Sequence, residues 1–253
     1  MEVDESNLPF SQLLFPFGSF ELIFNLLNAP VMKMWGENTS FTQPDILFPG
    51  QFTNPFELSF NKKTKCFGIS FQPWTGNLLL KIPAYEFTDK IVQLNDNNPL
   101  RILREQFLGS KDENEFIMYL ESYLYHKIKT YQEDHITTFL AKTIILNQAP
   151  AEIKKISESL CICQRRIEQR FSERIGLPIR TFTRKVRFQK AVNLLKQPGC
   201  SNLTGIGLEA GYYDQNHFIR DFKQFSGHTP KAFTRNRSAL QDFVCDLQKY
   251  TKV

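Results

Sequence analysis

The feature that most restricts this chain is a pattern written twice in its C-terminal part. A short apolar-periodic helix, a turn and a longer helix with a polar outer face occur at 153–175 and again at 203–225. In the second copy, Leu208 and Ala210 precede Gly211, which can take a positive φ without a Cβ clash and so suits the end of a helix. Phe218, Phe222 and Phe225 then recur at helical spacing as one buried stripe. Gln215, Asn216, Ile219, Arg220 and Lys223 fall on the other side. In the first copy Ile153, Ile156 and Leu160 mark the short helix, and Cys161–Ile162 the turn. Ile167, Phe171 and Ile175 are the stripe of its second helix. The outer face there carries Gln164, Arg165, Arg166, Gln169 and Arg170. Gly176 ends that helix and Pro178 prevents its continuation. One long pattern, Ile179 to Lys196, joins the copies, and after Gly227–Pro230 a basic helix begins at Lys231 and runs to Arg237.

A single copy is explained equally well by a helical hairpin with a solvated face. Two copies joined by one helix favour a pair of reading heads. Gln and Asn pair bidentately with adenine N6 and N7, and Arg with guanine O6 and N7. Helices held ~34 Å apart enter successive major grooves on one face of DNA. Charge points the same way. Residues 1–150 carry 12 Lys+Arg against 17 Asp+Glu, while 151–253 carry 19 against 9. The strongly basic C-terminal part calls for nucleic acid or another anionic surface.

The rest of the chain reads differently. Hydrophobic residues make up 42% of its 253 residues and include 24 Phe, enough for two cores rich in aromatics. Short apolar runs at Ser19–Leu27, Val31–Trp35, Ile46–Phe48, Phe56–Phe60 and Lys65–Phe71 are bounded by Pro, Gly and Asn clusters. They predict a β-sandwich or small barrel over 1–95, closed by a turn cluster at Asn95–Pro99. Glu21 lies inside the apolar run Phe20–Phe24, either pointing outward from a half-exposed strand or lining a ligand pocket. Over 96–150, three helical patterns follow, at Leu100–Leu108, Phe116–Ile128 and Phe139–Leu146, the last leading to Ala149–Pro150. Their apolar faces and tyrosines leave open a linker that packs on the sheet or a homodimer seam. Residues 238–253 are a tail. The expected class is an α+β two-domain chain, with an N-terminal β-sandwich or barrel-like domain plus helices and an all-α double helix-turn-helix at 151–237.

No catalytic residue, metal site or cofactor is expected. The first histidine is His126, so 1–95 has none with which to build a His-ligated metal cage. Five cysteines without paired spacing do not make a disulfide framework, and Cys161 and Cys163 are too close for a zinc knuckle. With no signal-peptide pattern and no membrane-length apolar run, a cytoplasmic protein with no membrane partner is expected.

The residues of 151–237 resemble the DNA-binding domain of the AraC/XylS family of bacterial transcription regulators. The likeness is carried by Ala210–Gly211–Tyr212, Asp214–Phe218, Arg220, Phe222 and Gly227–Pro230, and in the first copy by Ile156, Leu160, Arg165, Phe171, Gly176, Phe182 and Leu194–Leu195. The family usually has Gly in the first turn and Ser at the following helix cap, where this chain has Cys161 and Cys163. The resemblance implies a transcription regulator, by family habit an activator. It would bind double-stranded DNA through Gln164, Arg165, Arg166, Gln169, Arg170, Gln215, Asn216, His217, Arg220 and Lys223. His217 would pack or meet a phosphate, and Lys185, Arg187, Lys223, Lys231 and Arg235 would touch phosphates. Pro16–Gly18, Phe20–Asn25, Pro49–Gln51, Phe71–Pro73 and Glu86–Asp89 are similar to a domain of unknown function found before this DNA-binding domain in some members. That implies a sensing domain for an unidentified small-molecule effector, with RNA polymerase a further partner. Two other classes stay open: a DNA-targeted alkyl-acceptor repair enzyme using Cys66, and a helical protein-interaction module.

Overall fold

The computed structural model describes residues 1–16, 18–94, 98–109, 113–147, 153–197 and 202–235. Most of the turn cluster at 95–99, the Ala149–Pro150 junction, Cys200, Cys245 and the tail lie outside them. The chain is an α+β two-domain protein. Among the described residues, its N-terminal part holds nine strands in two antiparallel sheets: β1 (Glu2–Val3), β2 (Phe10–Leu14), β3 (Phe20–Leu27), β4 (Val31–Met34), β5 (Ser40–Thr42), β6 (Ile46–Pro49), β7 (Phe56–Phe60), β8 (Thr64–Phe71) and β9 (Ile91–Gln93). One sheet has the order β1-β8-β3-β6-β9 and the other β2-β7-β4-β5. The five apolar runs of the sequence become β3, β4, β6, β7 and β8. The remaining strands are short or weakly patterned, and β5 is exposed throughout.

Alternation along β3 separates two environments. Phe20, Leu22 and Phe24 are fully buried on one face of the five-stranded sheet. Glu21, Ile23 and Asn25 turn to the other face and line a cavity of about 170 Å³ shared with Met32, Phe56 and Leu58 of the opposing sheet. Glu21 therefore takes the pocket-lining place, not the outward one. Helices cover the Phe20 face: α1 (Pro99–Gly109) and α2 (Glu113–Lys129) bury Leu100, Leu103, Phe116 and Leu120 against it. Phe116 meets Phe24 edge-on at 5.5 Å, and Arg104 donates from Nε and Nη2 to the Asn25 carbonyl at 2.9 and 2.7 Å.

The helical part contains α3 (His135–Asn147), α4 (Ile153–Leu160), α5 (Gln164–Ile175), α6 (Ile179–Lys196), α7 (Leu203–Glu209), α8 (Gln215–Ser226) and α9 (Pro230–Arg235). The central α6 divides it into two cores. Its first half, through Ile179, Phe182 and Val186, packs with α3 and α5. Its second half, through Phe188, Ala191, Val192 and Leu195, packs with Ile206, Phe218, Phe222 and Phe225. No helix among the described residues is long and apolar enough to cross a membrane.

The β part grips both cores. Phe15, fully buried, sits edge-on to Phe188 and Phe233 at 6.1 and 5.4 Å. Lys185 of α6, also fully buried, donates from Nζ to Gln51 Oε1 at 2.6 Å, and Gln51 Nε2 donates to the Gly18 carbonyl at 3.0 Å. Near the first core, the Gly76 N–H donates to the Arg174 carbonyl at 3.1 Å. A Cβ at Gly76 would lie 2.5 Å from that oxygen, so only glycine permits the approach. Arg174 Nη1 donates to Asn77 Oδ1 at 2.7 Å, and the Thr88 hydroxyl donates to the Gly176 carbonyl.

Phe15→Ala is expected to lower the stability of the full chain by about 3–5 kcal/mol, the cost of emptying a buried phenylalanine site. A urea midpoint equal to wild type would show that this loop does not pack on the helical part in solution.

Candidate nucleic-acid interface

Each of the two longer helices, α5 and α8, is placed by its buried stripe. On α5, Ile167, Phe171 and Ile175 are fully buried, and on α8, Phe218, Phe222 and Phe225 are. Because α-helical residues three and four apart share a face, burial of these stripes turns the opposite positions to solvent. Gln164, Arg165, Arg166 and Gln169 of α5 are exposed, as are Gln215, Asn216, His217, Arg220 and Lys223 of α8. On α5 these polar groups are linked: Arg166 Nη1 donates to Gln169 Oε1 at 3.2 Å, and Gln169 Nε2 donates to Glu173 Oε1 at 2.8 Å. His217 Nδ1 lies 3.1 Å from Asp214 Oδ2.

The two helix starts differ. Asp214 caps α8 by accepting from the His217 N–H at 2.8 Å, and the preceding turn uses Gly211 at φ 89°. Cys163 stands at the cap of α5 with no side-chain hydrogen bond, and Cys161 holds the left-handed turn position at φ 53°. Both helices end alike, on Gly176 and Gly227 in the left-handed region.

Two arginines brace the frame. Arg170, an expected DNA contact, donates from Nε to Asp134 Oδ2 at 2.8 Å and ties α5 to the start of α3. Its guanidinium thus points away from the outward set. Burial raises the Asp134 carboxyl, but the hydrogen bonds from Arg170 and the Thr137 N–H, with the charges of Arg170 and Arg174, hold it below the ordinary carboxylate value. Arg184 of α6 donates from Nε and Nη2 to Asp221 Oδ1 at 3.0 and 2.7 Å and from Nη2 to Gln224 Oε1 at 2.6 Å, fixing α8 on α6. This brace was missed in the sequence, although a signal existed: Asp221 falls beside the Phe218–Phe222 stripe, and a carboxylate there needs a partner. Lys185, expected on a phosphate, is fully buried under Gln51 and cannot reach one. Arg187 is half-buried, its guanidinium carbon 6.0 Å from the Tyr212 ring centre. Burial pushes the Tyr212 hydroxyl above its ordinary value. Lys231 and Arg235 are exposed on α9.

Elsewhere, Cys66 is half-buried and burial pushes its thiol up, against the opposing effect of the N-terminal ammonium. Cys161 and Cys163 are exposed. Among the described residues, no group of three or more His, Cys, Asp and Glu is arranged to hold a metal ion.

Residues 156–236 match a family model described as a helix-turn-helix domain. The C-terminal part is an AraC-type helix-turn-helix domain. Residues 1–93 match a domain of unknown function (DUF6597). An uncharacterized HTH-type transcriptional regulator of Haemophilus influenzae is 30% identical over 107 residues, which cover 42% of this chain and 36% of that protein. ToxT from Vibrio cholerae shares the fold, with a TM-score of 0.50 at 10% identity over 92% of this chain and 96% of ToxT. The C-terminal domain of AraT from Geobacillus stearothermophilus aligns over 46% of this chain and 95% of its own, at 19% identity and a TM-score of 0.38. In the AraC-type domain, then, both second helices present polar faces, and both are fixed to neighbouring helices by buried aromatics and an arginine–aspartate pair.

Two outcomes follow from the unequal helix starts and the brace. Cys163→Ser should add the missing cap and raise stability by ~1 kcal/mol, whereas Asp214→Ala should cost a similar amount; urea unfolding reads both. The Asp134 carboxyl is depressed in the folded state, so its contribution is present above about pH 3.9, the unfolded value, and is lost as pH falls through the folded one. In acid-unfolding curves Asp134→Asn should flatten the dependence below about pH 4, and an unaltered curve would count against the pair.

Proposed function

We propose that this chain is a one-component, sequence-specific regulator of transcription, an activator, that reads double-stranded DNA with α5 and α8. The observation that carries this reading is the pair of exposed polar helices, each braced directly or through one neighbour on the same helix α6. The working division is a regulatory domain at 1–95, a connecting region at 96–150 and the DNA-binding domain at 151–237. Gln164, Arg165, Arg166, Gln169, Gln215, Asn216 and Arg220 are the base-reading candidates. His217, Lys223, Lys231 and Arg235 are the phosphate candidates. RNA polymerase would be the protein partner of an activator. Met118, Tyr125 and Ile128, exposed on α2, support a surface where two copies of the chain meet. The cytoplasm is the compartment where such a regulator would work.

The cavity between the sheets supports an effector role. Asn25 lines it, is 2% exposed, and its Oδ1 has no hydrogen-bond partner among the described residues. A small, largely apolar molecule with one hydrogen-bond donor would satisfy that acceptor. In a thermal-shift screen such compounds should stabilise the wild type and lose the effect in Ile23→Trp, which fills the cavity. Stabilisation that persists in that variant would put the binding site elsewhere.

The regulator reading is tested by selecting bound duplexes from a random pool with the full chain at ~150 mM salt. Two short blocks centred about 10–10.5 base pairs apart are expected. Between 50 and 200 mM salt, affinity should fall roughly 10³–10⁵-fold for 6–10 phosphate contacts. Arg220→Ala should cost about 1–3 kcal/mol and relax specificity at one base pair, while Lys223→Ala should weaken all sequences alike. A pool with no enriched motif would refute the assignment.

A further inference from the structure

The two reading helices enclose a cleft whose floor is not used for reading the major groove. One wall is α5, the other is α8, the floor is α6, and the volume is about 980 Å³. On that floor Arg180, Arg184 and Arg187 fall on one helical face at four- and three-residue spacing. Their surroundings differ. Arg184 is spent on Asp221 and Gln224. Arg180 is exposed near the start of α6 and has no hydrogen bond or ion pair with a described residue. Arg187 lies over the Tyr212 ring and still lines the cleft. The two stand about 10.5 Å apart along the helix axis, at ~1.5 Å per residue. Of the carboxylates in the cleft, Asp221 is paired with Arg184, and Glu168 belongs to the α5 wall. The floor therefore presents net positive charge.

When two helices occupy successive major grooves on one face of DNA, the intervening minor groove faces the element that joins them. That element is α6. The base pattern in the minor groove is nearly degenerate, but its width is not: A·T tracts narrow it and deepen its negative potential, which attracts arginine. Resting on the regulator reading above, we infer that Arg180 and Arg187 are specificity residues that face the minor groove between the two half-sites. They make the chain prefer A·T pairs there through groove width and potential, with no hydrogen bond to a base edge.

The test uses the full chain and duplexes that keep both selected blocks and vary only the base pairs between them. Three fillings are compared: A·T, G·C, and inosine·C, which restores an A·T-like minor groove while keeping the major-groove edge of G·C. Binding by fluorescence anisotropy should be alike for A·T and inosine·C and roughly tenfold weaker for G·C, the size of one mismatched pair. Arg180→Ala, at an exposed position, should bring that ratio toward one with its melting temperature kept. Arg187→Gln, which retains the stem over Tyr212, should do the same. Arg220→Ala should weaken all three duplexes and preserve the ratio. Equal binding to the three fillings by wild type, or a ratio that survives both α6 variants, overturns the inference while leaving the regulator reading in place. Absence of specific binding to any duplex refutes the regulator reading itself, and the inference with it.

Discussion

The arrangement of this protein depends on an ammonium group that has no access to water. Lys185 sits on the inner face of α6 at 0% exposure, and burying such a charge costs several kcal/mol unless it is well bonded. Gln51, itself at 0%, supplies a short acceptor and anchors its own amide to Gly18. Beside them, Gln189 Nε2 reaches the Pro16 carbonyl at 3.5 Å, and Phe15 fills the core under α8. The β domain is thus part of what positions α6, and both α5 and α8 pack on α6 or on its neighbours. By supplying Gln51 and Phe15, the β domain helps to set how α6 and α8 pack.

Both exposed polar faces are outcomes of burial elsewhere. Phenylalanines and isoleucines fix which side of α5 and α8 is inward, and the arginine–aspartate pairs fix the tilt. Arg170–Asp134 and Arg184–Asp221 each set a largely buried carboxylate against a partly exposed guanidinium. Such pairs contribute little when solvated and more when geometry is bidentate and water is excluded. Arg184 reaches Asp221 with two nitrogens and also holds Gln224, so it constrains rotation of α8 as well as distance.

Much of this was legible in the sequence because it is local. Stripes such as Phe218–Phe222–Phe225, and the stop signals Gly176 and Gly227, depend on spacing along one helix, and the helices of the C-terminal part lie where that spacing put them. The apolar runs gave the main strands for the same reason. Non-local partners set the rest. Lys185 has the composition of a surface residue, and a bond to Gln51, 134 positions away in the chain, helps to make its burial tolerable. Arg170 reads as another polar group on α5 until Asp134 turns it aside. Glu21 faces a cavity because a second sheet stands opposite, and no pattern within β3 says that it does. Strands such as β5 and β9 exist through pairing with β4 and β6 and have no periodicity of their own strong enough to announce them.

The two heads reach similar forms by different means. The second is locally complete, with a glycine turn, an aspartate cap and the Arg184 brace within the helical part. The first lacks the turn glycine and the cap, and it compensates with contacts from outside. Asp134 of α3 holds its middle. Gly76, Asn77 and Thr88 of the β domain take the Arg174 carbonyl, the Arg174 side chain and the Gly176 carbonyl at its end. The β domain thus meets α5 mainly through hydrogen bonds and α8 mainly through the Phe15 ring, while α8 also keeps its own cap and its brace to α6. Both helices therefore depend on the β domain, α5 through hydrogen bonds at its end and α8 through the Phe15 ring in the core beneath it.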